Sequence, residues 1–289
     1  MNKTKNIIRQ LADLHKLRIT SSVTLTTLAG YALAAGTIDK HIVLPLIGVF
    51  ILSSGSAALN QFQERHIDTL MKRTRNRPLP SGSFKPGTVF TLILLEVIVG
   101  TFLLYASGGF TAAFLGLLAL VWYNLVYTPI KKITPFAVIP GSVTGAIPPI
   151  IGWFIGGGNL IDPKLFVLTF FFFMSQVPHF WLLMLKYGDE YDAAGFPTIN
   201  GVLSNKQIRR VTFVWIVATS LNIVLLVLVG LFQTLFFKTL VLLAAAWLVV
   251  IFAKLLKRSE ADFSPFRYFL RLNYFILIII LSMIVDPLF

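Results

Sequence analysis

The stretch NQFQERHIDTLMKRTRNRPLPSG, residues 60–82, decides how this chain is read, because it sets a block of charge directly behind an apolar run. Residues 42–59, IVLPLIGVFILSSGSAAL, carry no charge and approach the roughly 20 residues that a helix needs to cross a bilayer. A helix that leaves hydrocarbon and at once presents Asn60, Glu64 and Asp68 beside Arg65, Lys72, Arg73, Arg75 and Arg77 places polar groups at the mouth of a bundle.

Working outward, the remaining sequence has the same character. With 56% hydrophobic residues, 13% charged residues and a mean hydropathy of +0.80, the chain belongs in a lipid bilayer rather than in water. Apolar segments near 19–36, 42–60, 88–106, 110–127, 136–155, 165–185, 211–232, 235–255 and 268–286 predict an all-α polytopic membrane protein of about nine transmembrane helices. Residues 1–289 are expected to form one domain, with 1–18 a cytoplasmic juxtamembrane segment lying on an anionic leaflet.

The net charge of +13 is accounted for by topology. With the N-terminus inside, 22 of the 25 Lys and Arg residues fall in the inner segments, and only Lys40, Lys164 and Lys238 fall in outer ones. Positive loops are retained in the cytoplasm, so the C-terminus is expected outside and no nucleic-acid partner is needed. Cysteine is absent, which excludes disulfides, thiolate metal sites and thiol nucleophiles. No cleavable signal or transit segment precedes the first span, which predicts a multi-pass protein of a prokaryotic cell (plasma) membrane.

The longer polar loops are all on the inner side, so chemistry is expected on the cytoplasmic face. Two of them carry acids immediately behind an apolar span. If the second span continues as helix, Asn60, Glu64 and Asp68 repeat every four residues along one face. The segment KYGDEYDAAG adds Asp189, Glu190 and Asp192 directly behind the sixth span, with Asp189 and Asp192 on one side of a helix. Two carboxylate clusters facing each other repel unless a cation sits between them, and oxygen-only donors suit Mg2+, which is commonly completed by substrate phosphates. Lys72, Arg73, Arg75, Arg77, Lys131, Lys132 and Lys186 supply donors for such an anion. The competing reading is a set of solvated loops whose charges only set topology. Topology needs Lys and Arg but not acids, so the paired acidic clusters favour the metal site.

Four ordered blocks resemble the UbiA-type intramembrane prenyltransferases and, within them, the protoheme IX farnesyltransferases or haem O synthases. HKLRITSSVTLTTLAGYALA is similar to the opening TKPR helix, and NQFQERHIDTLMKRTRNRPLPSG to NxxxDxDIDxxMxRTxxRPL. VYTPIKKITPFAVIPGSVTGAIPPIIGW is similar to YTxxLKRxTxxNxxxGxxxGAxPPxxGW, and VPHFWLLMLKYGDEYDAAGFPTI to PHFWxLAxxxxDDYxxAGxPM. The departures are Glu64 and His66 within the first acidic block, Glu190 in the second, and Leu17 for the opening proline.

The resemblance implies a UbiA-like bundle with a cytoplasmic-side active site, and farnesyl diphosphate and haem B as substrates. Mg2+ is implied as cofactor, held by Asn60, Glu64, Asp68, Asp189 and Asp192 with Glu190 beside them. Lys72, Arg73, Arg77, Lys131 and Lys186 would share the diphosphate charge, and Tyr123, Tyr127 or Trp181 would face an allylic cation. A haem vinyl group then captures the farnesyl cation and water completes a hydroxyethylfarnesyl substituent. Haem A synthase or oxidase assembly proteins are implied as downstream partners.

Some residues remain open at this point. His179 reads equally as a haem contact and as a hydrogen-bonded residue at a kink behind Pro178. His15, His41 and His66 are expected in solvent, and Glu96 is an acid inside a span with no evident partner. Gly141 with Gly145 and Gly152 with Gly156 predict close helix packing, while Pro148, Pro149 and Pro178 predict helix breaks beside a cavity. Two other functions stay in view: a related prenyltransferase acting on an aromatic acid or quinone precursor, and a cation transporter. The spans hold too few ionisable groups for the second.

Overall fold

A computed structural model describes residues 3–257 and 264–289; Arg258, Glu260 and Asp262 of the last inner connection lie outside the described residues. Among the described residues all regular structure is helical. The main elements are α1 (Lys3–Leu14), α2 (Leu17–Ala35), α3 (Val43–Glu64), α4 (Pro86–Val121), α5 (Val143–Ile155), α6 (Pro163–Ala193), α7 (Asn205–Leu228), α8 (Leu235–Lys257) and α9 (Pro265–Val285).

Seven stretches of described helix are long and apolar enough to cross a membrane, where nine spans were expected. The difference has two sources. Leu17–Ala35, rich in Thr and Ser, is not among the seven, and Pro86–Ile130 counts as one stretch of 45 residues where two spans were placed. That stretch is not straight. Gly108 (φ −145°) and Gly109 (φ +63°) leave helical geometry, and Gly109 tolerates its positive φ because it has no Cβ.

The two halves fold back on each other there. Leu104 lies against the point where a Cβ on Gly116 would sit, although residues 12 apart in a straight helix are about 18 Å apart. Leu52 of α3 fills the space beside both Gly100 and Gly116, so the hairpin of α4 is clasped against α3.

Apolar residues dominate inside and outside alike. Phe171, Phe252, Phe275, Leu272 and Ile223 are buried where α6 to α9 meet, while Ile98, Phe102, Leu125, Phe166, Val214 and Leu243 are exposed on the flanks. An outer surface of this kind is stable against lipid and not against water.

Glycine sets the closest approach of helices. Gly152 of α5 and Gly156, which caps it, lie on the backbone of α2 at Thr27, Tyr31 and Ala35, as their four-residue spacing leads one to expect. The expected breaks at Pro148, Pro149 and Pro178 do not occur: α5 and α6 run through them as helix. Proline is tolerated inside a spanning helix where neighbouring helices or hydroxyl side chains can re-satisfy the carbonyl it frees. At the far end of α7, buried Asp286 accepts hydrogen bonds from the Thr234 N–H (2.9 Å) and Oγ1 (2.7 Å), fixing the C-terminal turn to the α7–α8 connection.

Candidate active site

Helix α3 ends at Glu64, and Asp68 lies in a separate 3-10 turn, Ile67–Leu70. This corrects the expectation of one unbroken helix through Asp68. The chain is drawn back by Thr74, whose Oγ1 donates to the Asp68 carbonyl (2.8 Å), and by Arg77, which donates to Asp68 Oδ2 (2.8 Å). The turn nevertheless keeps the three polar residues together, with Asn60, Glu64 and Asp68 only 2%, 5% and 1% exposed.

Buried carboxylates are tolerated when paired. Lys131 Nζ stands 2.6 Å from Glu64 Oε1 and donates to Oε2 at 2.8 Å, and Arg77 holds Asp68. Asn60 Nδ2 donates to Glu64 Oε2 (3.2 Å) and to Thr128 Oγ1 (3.1 Å). Lys16, a residue the sequence reading passed over, donates to Asn60 Oδ1 at 2.7 Å and to the Tyr123 hydroxyl at 3.3 Å. Its signal was present in the HKLR block, but nothing local says that it points inward.

Burial pushes the Lys16 ammonium down to about 7, and the nearby Arg77 and Lys131 add to the effect. Lys131 goes the other way. Burial lowers it, but the charge and hydrogen bond of the Glu64 carboxylate, together with Tyr123 and Tyr191, outweigh this and hold it above the ordinary lysine value. One carboxylate oxygen stands open to a metal, Asp68 Oδ1, which is buried without a hydrogen bond; Glu64 Oε1, in ion-pair contact with Lys131, can join it once that ammonium turns to an anion. Such oxygens match what a hard divalent cation takes, so the donor set fits Mg2+.

The second acidic segment meets the first at the same end of the bundle. Glu190 Oε2 accepts the Arg73 backbone N–H (3.1 Å), and the Arg73 guanidinium donates to the Tyr191 hydroxyl (3.3 Å) while lying 5.1 Å from the Tyr187 ring centroid. The two blocks therefore join through Arg73 rather than carboxylate to carboxylate. Asp189 is exposed, and Asp192 is exposed with Oδ1 taken by Thr198 Oγ1 (2.8 Å). Among the described residues no three acids or histidines stand within reach of one ion.

Between the blocks lies a cavity of about 130 Å³. Phe180, Met184, Tyr187 and Tyr191 line it from one face of α6, and Tyr127, Lys131, Arg73 and Phe196 close it. Tyr127 stacks on Tyr123 (centroids 5.7 Å apart), and Lys131 Nζ stands 5.6 Å and 5.8 Å from the Tyr127 and Phe196 ring centroids. A π-helical turn, Trp122–Tyr127, produces this placement, with Thr128 Oγ1 donating to the Tyr123 carbonyl at 2.9 Å. Such turns recur at functional sites and are not legible from residue type.

Other expected residues stand apart. Trp181 is buried against Trp215, between α6 and α7, away from the cavity. His179 rests on Phe269, with ring centroids 4.6 Å apart. Lys72 is exposed, and Lys186 lies 3.6 Å from the Phe266 ring centroid and 4.9 Å from that of Tyr187. Glu96 does have a partner: His15 Nε2 is 2.9 Å from its Oε1, which also corrects the placing of His15 in solvent.

The profile of the UbiA prenyltransferase family matches residues 23–275. The chain is 32% identical to a protoheme IX farnesyltransferase of Cereibacter sphaeroides over 267 residues, 90% of this chain and 84% of that one. It is 38% identical to that of Oleidesulfovibrio alaskensis over 191 residues, 66% and 68% of the two chains. Among solved structures, a digeranylgeranylglyceryl phosphate synthase superposes with a TM-score of 0.78 at 16% identity, over 97% of this chain and 98% of the other. A UbiA homologue of Archaeoglobus fulgidus, bound to DMAPP and Mg2+, superposes with a TM-score of 0.69 at 15% identity, over 96% and 99%. At these identities the superpositions show a common fold, and the sequence matches show the kinship: this chain belongs to the UbiA prenyltransferase family, as a multi-pass membrane enzyme.

Proposed function

We propose that this enzyme transfers a farnesyl group from farnesyl diphosphate to a vinyl group of haem B, giving haem O. The observation that carries the reading is the juxtaposition of Glu64 and Asp68, each with its own cation, beside an aromatic-walled cavity at one end of an apolar bundle. The relatives named above supply the substrate class. Glu64 and Asp68, with Asn60 beside them and Glu190 reaching across from α6 to the Arg73 backbone, are the residues to hold Mg2+, which when bound supplies positive charge against the departing diphosphate.

Lys131, Arg77 and Arg73 bind the diphosphate oxygens and orient the C1–O bond toward the cavity. As that bond breaks, its electron pair leaves with the diphosphate and C1 becomes an allylic cation. The faces of Tyr127, Phe180, Tyr187 and Phe196 stabilise the cation, each by roughly 0.5–2 kcal/mol, and their bulk keeps water from it. The terminal vinyl carbon forms the new C–C bond, the adjacent carbon becomes cationic, and a water molecule adds there and loses a proton. A cavity of about 130 Å³ is smaller than the roughly 300–1,000 Å³ of sites that enclose a whole ligand, so the prenyl tail extends toward the lipid-facing helices.

The test is an assay of the purified protein with farnesyl diphosphate and Mg2+, offering haem B or 4-hydroxybenzoate as acceptor. Haem O detected by mass is the expected product; prenylated 4-hydroxybenzoate without haem O would overturn the choice of acceptor.

A further inference from the structure

Glu64 and Asp68 each have a cation of their own, so the ammonium of Lys16 is left over. Three positive side chains, Lys16, Arg77 and Lys131, serve two carboxylates, and among the described residues Lys16 hydrogen-bonds only the neutral Asn60 and Tyr123. An uncompensated cation in a buried polar cluster is held at a cost that an arriving anion removes.

The backbone at Lys16 is arranged to keep it there. With φ 47° and ψ 50° it is, among the described residues, the non-glycine with positive φ, a conformation that is sterically costly for any side chain. It forms the elbow between α1 and α2, and three contacts fasten that elbow to α3 and α4. Gln61 Nε2 donates to the carbonyls of Asp13 (2.7 Å) and Leu14 (3.0 Å), His15 meets Glu96 at 2.9 Å, and the Leu14 side chain is fully buried. Glycine at position 16 would relieve the backbone but remove the ammonium. Glu96, an acid in an otherwise apolar helix, acts here as a positioning residue by way of His15.

We propose that Lys16 is a further diphosphate-binding residue of this site, held on Asn60 until the substrate arrives and then donating to an oxygen of the diphosphate head. The proposal rests on reading the site as one for an allylic diphosphate. The same chemistry serves free pyrophosphate, so both are used as probes.

The experiment measures binding of inorganic pyrophosphate, of farnesyl thiolodiphosphate and of uncharged farnesol to the full-length protein in nanodiscs with Mg2+. In Lys16→Met both anions are expected to bind more weakly by on the order of tenfold or more, with farnesol unchanged. Lys16→Arg is expected to recover most of the loss. Glu96→Gln is expected to weaken the anions by less than Lys16→Met and to leave farnesol unchanged. Should Lys16→Met not fold, Lys16→Gln removes the charge while still offering a donor to Asn60. Anion affinities within about twofold of the parent in these Lys16 variants would sink the inference, as would equal loss of farnesol and the anions. A parent protein that binds neither anion would instead sink the reading of the site itself.

Discussion

At the residue scale, Glu64 and Asp68 are each tied to one cation, and this fixes what their loss does. Asp68→Ala removes a candidate metal oxygen and leaves Arg77 without its partner, so turnover is expected to fall by on the order of a hundredfold or more, with helix content retained. Mass-spectrometric quantification of haem O beside circular dichroism checks it. Glu64→Asp shortens the side chain by one methylene, and the flexible Lys131 stem can follow, so activity is expected to be kept within about tenfold. The two lysines also titrate in opposite senses. Lys16 is depressed in the fold, so the cost of its charged form is full below about pH 7 and is relieved as pH rises toward the unfolded value of 10.5. Lys131 is elevated, so its contribution holds below 10.5 and is lost as pH rises through its higher folded value. Thermal unfolding from pH 7 to 10 should show a rise in stability that Lys16→Met flattens.

At the element scale, α6 carries the distinction between the acids. Phe180, Met184, Tyr187 and Tyr191 recur at helical spacing along the cavity face. Asp189 stands two residues from Tyr187, about 200° around the helix, and is exposed, whereas Glu190 reaches the Arg73 backbone. Glu190→Ala is therefore expected to cost more turnover than Asp189→Ala, and parallel steady-state assays of the two variants decide it; equal losses would place Asp189 in the site after all. Helices α2 and α5 are held by close backbone approach. A Cβ at Gly152 would collide with the Thr27 carbonyl, and backbone on backbone has no rotamer to yield. Gly152→Ala is expected to destabilise by about 1–3 kcal/mol, read as a lowered Tm in detergent.

At the scale of the whole molecule, one end of the bundle gathers both charged blocks, the α1–α2 elbow and the π-helical turn, while the flanks remain apolar. Removing divalent cations with a chelator is expected to abolish haem O formation, and added Mg2+ to restore it, because the paired carboxylates of Glu64 and Asp68 are a hard-cation donor set. The positive-inside asymmetry predicts that this end faces the cytoplasm. Cysteines introduced at exposed Lys72 and at Leu235, beyond the far end of α7, should react from opposite sides of sealed vesicles with an impermeant maleimide; labelling from the same side would overturn that orientation.

Bilayer thickness, charge placement and donor chemistry act on composition and spacing, so the class of molecule, the apolar segments and the residue types of the site are legible in the chain alone. The sequence marked Asn60, Glu64, Asp68, Lys131 and Arg77 as chemistry-bearing, and the structure brings those residues together. Which partner each side chain takes is settled by the packing of the helices: Lys16 entering the site, Glu96 on His15, Arg73 joining the two blocks, and Trp181 buried against Trp215. The reason is physical. Whether a polar side chain turns into or away from a bundle depends on the rotation of its helix, and that is set by contacts such as Gly152 on Thr27 and by local turns such as those at 67–70 and 122–127, which residue type does not specify.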